Sequence, residues 1–318
     1  MERTVGGQTV MSLASLCYNA LRFSGVTRVA RRVTNGGLVL CYHNVVSSDD
    51  GDTGSARGLG LHMPRATFER QMHWLREHYA VVPLDEFVGR LARGKPLRGV
   101  AAITFDDGYA GVFAYAWPLL RDLGLPATVF IVADAPGRQE GFWWDDPDVL
   151  RAYSRDREQR WLTVLQGDRA KILDAVAPGR APLPASRFRR PASWNTIATA
   201  AASETGLDIG VHSVTHRSLP ALDDAALSHE VFDSREVIRR RAGVMPLFFT
   251  YPYGHWNDRV RRAVQSAGYR GAFTLAAHKH SAGRDPWTIP RLNIPAHIGD
   301  AAFEAWTAGV SLRWRLSA

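Results

Sequence analysis

Residues 101–109 read AAITFDDGY, a short apolar run that ends in two adjacent carboxylates. A run of this length and composition, bounded by polar residues, predicts a buried β-strand. Similar runs recur along the chain, and they lie at 38–42, 127–132, 208–211, 248–251 and 271–275. The strand at 101–105 is therefore predicted to be one of a repeated series, and several of these strands end at a polar or turn residue.

Helix-like stretches separate these strands, at about 67–79, 84–93, 112–123, 223–241 and 257–267. Alternating strands and helices predict an α/β fold with parallel strands and crossover helices, arranged as an open sheet or a barrel. In either arrangement, the loops after the strand C-termini carry the chemistry.

The interval 133–205 breaks this alternation and contains the Pro- and Arg-rich stretch APLPASRFRRPASW. We interpret it as an inserted loop and helical region beside the active-site face. A packed excursion with no role in binding is the alternative, because long loops serve either purpose. With 318 residues, of which 46% are apolar and 22% charged, the chain fits one large globular domain with appendages. We place that domain at 37–318.

Residues 1–36 are predicted to form a basic, amphipathic N-terminal segment. Apolar side chains recur at helical spacing within 13–33, and four arginines are interspersed towards its end. Two interpretations fit, an interfacial helix that makes peripheral membrane contact and a helix packed on the flank of the domain. No stretch approaches the roughly 20 apolar residues that span a bilayer, and residues 1–12 do not resemble a signal peptide. We expect a cytoplasmic protein or one peripheral at the inner face of the membrane.

The formal charge of +8 comes almost entirely from arginine, since lysine occurs only at positions 95, 171 and 279. No recognition helix, zinc-finger spacing or basic-aromatic signature accompanies this charge, so nucleic-acid binding is not expected. The two cysteines, Cys17 and Cys41, do not form a disulfide framework, and Cys41 is expected to be a small core residue. Composition leaves the oligomeric state open.

Asp106 and Asp107 leave the predicted strand together, so their side chains point in different directions. One carboxylate can then coordinate a cation while the other takes a proton from a bound water. A turn or helix-capping role is the alternative for such a pair taken alone.

The segment HSVTH places His212 and His216 four residues apart, which allows both imidazoles to reach one ion. Two imidazoles and one carboxylate leave open positions for water and substrate, as in a catalytic metal site. Zinc, iron, cobalt and nickel all suit such ligands, and zinc is our first choice.

A third motif, FFTYPYGHW, places Pro252, Tyr253 and Gly254 at the end of a strand-like run. A fixed turn here can aim the backbone N–H of Tyr253 at a developing oxyanion. An ordinary strand-ending turn is the alternative.

TFDDGY, HSVTH and YPYG, in this order, resemble the polysaccharide deacetylases with a NodB-homology domain, also called carbohydrate esterase family 4. The resemblance covers about residues 38–295 and implies a distorted, incomplete (β/α) barrel. It also implies a divalent metal and hydrolysis of an acetamide on an N-acetylated glycan. By this resemblance Asp106 is the catalytic base, Tyr253 the oxyanion donor, and the metal ligands are Asp107, His212 and His216.

Two positions depart from the family pattern. Many members carry an Arg where this chain has Thr250, and Arg291 is our candidate to orient the base in its place; an ordinary ion pair is the alternative role for Arg291. The resemblance also implies a late histidine as general acid, and three histidines compete for that role: His278, His280 and His297. We prefer His297, because it follows a strand-like segment.

Two further features bear on the substrate. His43, in LCYHNV, stands at a strand end and resembles the subgroup that acts on exopolysaccharides and poly-N-acetylglucosamine, although a lone histidine is often structural. Trp143 and Trp144 are candidates for a wall on which sugar rings stack, and core packing is the alternative.

The sequence therefore predicts a metal-dependent hydrolase that removes N-acetyl groups from the amino sugars of a polysaccharide or oligosaccharide. The alternatives are an amide hydrolase for another N-acylated substrate, such as a lipid-linked sugar or a small metabolite, and a glycan-binding relative without turnover. Glycoside hydrolysis fits poorly, because adjacent residues do not readily place two carboxylates on either side of a glycosidic bond.

Overall fold

A computed structural model describes residues 3–5, 8–10, 13–34, 36–48, 59–202, 206–275 and 285–311 of the chain. The strands are β1 (Arg3–Val5), β2 (Gln8–Val10), β3 (Leu38–Tyr42), β4 (Asn44–Val46), β5 (His62–Pro64), β6 (Ala80–Val81), β7 (Val100–Phe105), β8 (Ala127–Ile131), β9 (Leu207–Val211), β10 (Phe248–Thr250), β11 (Gly271–Thr274), β12 (Ile289–Pro290) and β13 (Leu292–Asn293).

The α-helices are α1 (Leu13–Phe23), α2 (Val26–Val33), α3 (Arg65–His78), α4 (Leu84–Ala92), α5 (Trp117–Leu123), α6 (Pro147–Ala152), α7 (Arg155–Thr163), α8 (Arg169–Val176), α9 (Trp194–Ala201), α10 (Asp224–Ser228), α11 (Ser234–Ala242), α12 (Asp258–Ser266) and α13 (Asp300–Thr307). Short π-helical turns cover Val112–Ala116 and His229–Asp233, and short 3₁₀ turns cover Trp143–Asp145, Leu219–Ala221 and Pro252–Gly254.

The central sheet runs in the order β12-β11-β10-β9-β8-β7-β3-β13, with β6 beside β7, and its neighbouring strands are parallel. Its two ends belong to one short segment of chain, because β12 and β13 are separated only by Arg291. Ile289 pairs with Phe273 on β11, and Leu292 pairs with Leu40 on β3. Residues 289–293 thus bring the edges of the sheet together into a nearly closed (β/α) barrel, and the predicted fold class is confirmed.

The strands form because their residues are apolar on both faces. Every residue of β3, β7 and β8 is buried, as expected for parallel strands packed between a barrel interior and surrounding helices. The six strands predicted from apolar runs occur within one residue of their expected ends. The short strands β4, β5, β6, β12 and β13 were not predicted, because two or three residues carry too little periodicity.

The predicted insertion contains α6, α7 and α8 and lies beside the barrel end that carries the polar residues. The last part of 133–205 is not an insertion, because α9 packs against β9 and is the crossover helix that precedes β9. The insertion is joined to β4 at Asn44, whose Nδ2 donates a 2.8 Å hydrogen bond to the Phe188 carbonyl oxygen.

The N-terminal segment contains two helices rather than one, because Gly25 adopts a left-handed conformation (φ 76°) between α1 and α2. One side of α1 packs against α13, where Trp306 Nε1 donates to the Tyr18 hydroxyl at 2.8 Å and Arg22 pairs with Glu304 at 3.1 Å. One side of this segment therefore packs on the flank of the domain, as one of the two interpretations of the sequence predicted. Among the described residues, no helix combines the length and apolarity needed to cross a bilayer.

Gly111 offers a test of how tightly the insertion, the barrel and β4 fit together. A Cβ at this position would lie 2.1 Å from the Val45 carbonyl oxygen and 3.1 Å from that of Phe188. We expect Gly111→Ala to lower the free energy of unfolding by about 1–3 kcal/mol, the usual cost of overpacking. Gly299→Ala is the control, because a Cβ there meets nothing within 4 Å. Urea unfolding of both variants measures the difference, and equal midpoints would contradict the packing.

Candidate active site

Polar side chains gather where the parallel strands end. Asp106 follows β7, His212 follows β9, and Thr250 is the last residue of β10. Asp106 and His212 border a cavity of about 450 Å³, within the usual size range of small-molecule sites. The lining residues include His43, Asp106, Asp107, Trp143, Trp144, Arg155, Glu158, Gln159, His212, His216, Tyr253 and Asn293.

Asp107, His212 and His216 form a compact, buried trio. The Oδ1 atom of Asp107 lies 3.6 Å from His212 Nε2 and 3.5 Å from His216 Nε2, and the two Nε2 atoms are 3.0 Å apart. Within the described part of the chain, Asp107 Oδ1 has no hydrogen-bond partner. A buried carboxylate oxygen without a partner is costly, so its position points to a ligand that this trio would hold.

The orientation of His212 supports the same conclusion. Its Nδ1 atom lies 3.0 Å from the Thr250 carbonyl oxygen, which can only accept a hydrogen bond. Nδ1 therefore carries the proton, and Nε2 presents its lone pair to the trio, as in metal-binding histidines. Burial lowers the pKa of both histidines, which keeps the imidazoles neutral and able to act as ligands.

Asp106 lies beside the trio, with its Oδ2 atom 3.9 Å from His212 Nε2, but its ion-pair partner is Arg291. The Arg291 Nη1 and Nη2 atoms donate to the two carboxylate oxygens at 2.7 and 2.6 Å, and both side chains are buried. Burial would raise the pKa of Asp106, but the Arg291 charge and hydrogen bonds hold it well below its usual range. Asp106 is thus ionised at neutral pH. The Cys41 thiol adds a 3.5 Å contact to Asp106 Oδ2, so Cys41 has a polar contact beyond its expected core packing.

By contrast, the pKa of Asp107 is raised, because the carboxylate is buried and lies near the negative charges of Asp106 and Asp145. A cation at the trio would compensate this charge. The two adjacent carboxylates therefore occupy different electrostatic environments, as expected if they have different tasks.

The backbone of the site is strained. Five non-glycine residues of the described chain have left-handed φ values, and four of these residues belong to the site: Asp107 (71°), Ser213 (63°), His216 (61°) and Tyr253 (59°). Such conformations cost on the order of 1–3 kcal/mol each and persist only where surrounding contacts enforce them. Their concentration here marks the site as functional.

Buried side chains enforce this conformation. Glu230 Oε2 accepts hydrogen bonds from the backbone N–H groups of Val214 and Thr215, both at 2.9 Å, and the Tyr253 hydroxyl donates to the His216 carbonyl oxygen at 3.0 Å. Sequence reasoning missed Glu230, which lies in the π-helical turn His229–Asp233 on a helix-like stretch where no motif distinguishes it.

The structure separates the candidate acid histidines. His43 lines the cavity, and one of its ring nitrogens lies within 4.8 Å of an Asp106 carboxylate oxygen. His297 is exposed, lies beside Gly60 and is not among the lining residues, because it belongs to the loop that leaves the barrel after the closing segment. Of the two, His43 lines the cavity and His297 does not, and the identity of the general acid stays a prediction. His278 and His280 lie outside the described residues.

The insertion supplies an aromatic wall to the cavity. Trp143 and Trp144 both line it, and the Trp144 ring packs on His216 with a centroid distance of 4.5 Å. Both tryptophans are also largely buried. Core packing and substrate contact, posed as alternatives from the sequence, are thus compatible.

A chain of hydrogen bonds fixes Trp144. Its Nε1 donates to the Tyr109 hydroxyl at 2.8 Å, and Tyr109 donates to Asp145 Oδ2 at 2.6 Å. His62 Nε2 donates to Asp145 Oδ1 at 2.9 Å, while Asn44 Nδ2 donates to His62 Nδ1 at 3.0 Å. This chain connects the wall to β4 and β5.

Comparisons with known proteins identify the family of this chain. Residues 93–272 match the family model for polysaccharide deacetylase, so the chain belongs to the polysaccharide deacetylase family. It is a hydrolase that acts on carbon–nitrogen bonds other than peptide bonds. The resemblance inferred from TFDDGY, HSVTH and YPYG is thereby confirmed.

Individual relatives extend the comparison. The chain is 29% identical over 280 residues to a poly-β-1,6-N-acetyl-D-glucosamine N-deacetylase of Staphylococcus aureus (strain MSSA476), covering 85% of this chain and 81% of the relative. It is 24% identical over 275 residues to the enzyme of the same name from Escherichia coli (strain K12), covering 82% of this chain but only 37% of that relative. The structure of IcaB from Ammonifex degensii has the same fold, with a TM-score of 0.60 and 20% identity over 86% of this chain and 98% of IcaB.

The Arg291–Asp106 pair yields a stability prediction. Arg291→Met leaves the Asp106 charge buried and unpaired, and we expect it to lower the free energy of unfolding by about 3–5 kcal/mol. Adding Asp106→Asn should recover part of this loss, because the neutral side chain needs no counter-charge. Arg90→Met, which removes an exposed pair with Glu86, should cost less than about 1 kcal/mol. Urea unfolding at neutral pH measures all four proteins, and a similar loss for both arginine variants would refute the assignment.

Proposed function

We propose that this protein is a metal-dependent N-deacetylase of N-acetylglucosamine polymers. One observation carries the proposal: the unpartnered, buried Oδ1 of Asp107 faces two imidazole nitrogens, directly beside the ion-paired carboxylate of Asp106. The Asp107 carboxylate and the two imidazoles suit a bound cation. The Asp106 carboxylate suits a general base that does not coordinate that cation.

The donor set fits a divalent transition metal. Two neutral imidazoles and one carboxylate are the ligands of catalytic zinc sites and of several iron sites, and zinc is the first choice for a hydrolase without redox chemistry. Bound to Asp107, His212 and His216, such an ion would polarise the acetamide carbonyl and lower the pKa of water.

The chain's own residues account for the remaining steps. Asp106, kept ionised by Arg291, accepts a proton as water attacks the carbonyl carbon. We assign the backbone N–H of Tyr253 to the oxyanion that develops there, as the strained turn at Pro252–Gly254 would allow.

The leaving amine needs a proton. Burial lowers the pKa of His43 to about 4, so the resting imidazole is neutral and must acquire its proton during the reaction. Asp106, which has just received one, is its neighbour. We therefore assign His43 to pass this proton to the amide nitrogen as the carbon–nitrogen bond breaks, which yields acetate and a free amino sugar.

The proposed substrate rests on the relatives and on the cavity. The enzymes from S. aureus and E. coli are named for poly-β-1,6-N-acetyl-D-glucosamine. In this chain Trp143 and Trp144 offer aromatic faces, and Arg155, Glu158 and Gln159 from α7 supply polar groups at the same cavity. Aromatic faces beside polar groups suit a pyranose ring.

Metal content and acetate release test this division of roles. We expect His212→Ala and Asp107→Asn to lose bound metal, measured by elemental analysis of the purified proteins. Asp106→Asn should keep its metal but lose about 10²–10⁴-fold in acetate release from N-acetylglucosamine oligomers.

His229→Ala is the matched control, because His229 is an exposed histidine that pairs with Asp233 away from the cavity. Unchanged metal content in His212→Ala would contradict the assignment of the metal ligands. Full acetate release by Asp106→Asn would show that another group is the base. Release of formate from N-formyl sugars, with no release of acetate from N-acetylglucosamine oligomers, would identify a different substrate. The proposed metal site would be unaffected by that result.

A second pair of variants separates the candidate acids. His43→Gln removes the proposed proton donor from the cavity, and we expect kcat to fall about 10²-fold or more, with metal content retained. His297→Gln should behave like the unmodified protein, because His297 is exposed outside the cavity. The reverse ranking of the two variants in the acetate assay would restore His297 as the acid.

A further inference from the structure

An apolar stripe runs along the outer side of α1 and α2. The α1–α2 stripe consists of Leu13, Leu16, Phe23, Val26, Val29 and Val33, and each side chain is exposed. Phe23 is 85% exposed, and Val33 is 66% exposed. Single exposed apolar residues are ordinary, but six on one continuous segment form the kind of surface that marks an interaction site.

The stripe is held in place by the opposite side of the same helices. Tyr18 of α1 is buried against α13, and Thr27 of α2 is also buried. On α2, the Arg31 guanidinium lies 5.4 Å from the centre of the Trp74 ring. Because α1 and α2 have 11 and 8 residues, neither is long enough for much helicity in isolation, and packing on the domain presents them ready-formed.

The charged residues of α1 and α2 themselves are all basic. Residues 13–34 contain four arginines and no acidic residue. Arg22 is paired with Glu304 and Arg31 lies over Trp74, whereas Arg28 and Arg32 are exposed and make no ion pair among the described residues. An apolar stripe flanked by unpaired arginines complements a surface with an apolar interior and an anionic rim.

We propose that α1 and α2 dock this protein on an anionic phospholipid membrane, with the α1–α2 stripe inserted among the acyl chains and Arg28 and Arg32 at the phosphate groups. Interfacial helices combine these same features, Leu and Phe on one face and Arg beside it. A second copy of the chain would place the arginines of both copies near one another, and no acidic residue in 13–34 is available to offset them. The inference does not depend on the proposed catalytic activity.

Vesicle flotation of the full chain tests the docking surface. We expect the protein to float with vesicles of phosphatidylcholine containing 30% phosphatidylglycerol, and to float much less with phosphatidylcholine alone. Raising the salt concentration should weaken binding, because surface charges are screened. Recovery of all the protein in the bottom fraction, with anionic vesicles at low salt, would overturn the proposal.

Paired variants locate the contact. Phe23→Glu with Val29→Glu should abolish flotation, and Arg28→Gln with Arg32→Gln should lower the partition coefficient about fivefold for each arginine. Met245→Glu and Arg241→Gln are the controls, since both residues are exposed elsewhere on the domain. Circular dichroism confirms that each variant is folded.

Two outcomes of these variants would contradict membrane docking. The first is an equal loss of flotation in the controls, which would place the contact elsewhere. The second is a dimer in light scattering that Phe23→Glu with Val29→Glu converts to a monomer, with no vesicle binding by the unmodified chain. That result would identify the stripe as an interface between two copies.

Discussion

The buried ion pair between Arg291 and Asp106 ties the closure of the barrel to its chemistry. Arg291 separates β12 from β13, so the segment that pairs with both β11 and β3 also delivers the guanidinium to the end of β7. Burying two charges is costly and is offset only when their hydrogen bonds are nearly complete. Arg291 meets this condition with both Asp106 oxygens, the Thr104 hydroxyl and the Thr274 carbonyl.

The two adjacent aspartates receive different environments from this arrangement. Asp106 is stabilised as an anion by a permanent positive charge, which makes it available but weakly basic. Asp107 makes no ion pair with an arginine or lysine among the described residues and turns into the space between His212 and His216. A weakly basic carboxylate can deprotonate water only if that water is made more acidic, so the Arg291 contact and the predicted cation belong to one design.

Much of this could be predicted from the sequence, and the limits have physical causes. Apolar runs of four to six residues identified the principal strands, and motif order placed Asp106 at the C-terminal end of the barrel. The partner of Asp106 could not be derived from the sequence, because Arg291 reaches it only through the pairing of 289–293 with other strands of the sheet. One of these strands, β3, lies more than 200 residues away in the chain. The sequence could not show that His43 lines the cavity and His297 does not, or that Glu230 bonds the backbone at Val214 and Thr215, since tertiary packing alone decides both.

The insertion links substrate contact to the geometry of the proposed metal ligands. Trp144 packs on the His216 ring, and its indole N–H donates to Tyr109, which in turn donates to Asp145. The aromatic wall and the proposed metal ligand His216 therefore restrain each other. A sugar ring pressed against Trp144 would therefore act on a side chain already fixed by hydrogen bonds to the barrel. Rigid support of this kind preserves the left-handed conformation of His216, whose strain a looser loop would release. The proposed substrate wall and the proposed metal ligands are thus parts of one packed unit.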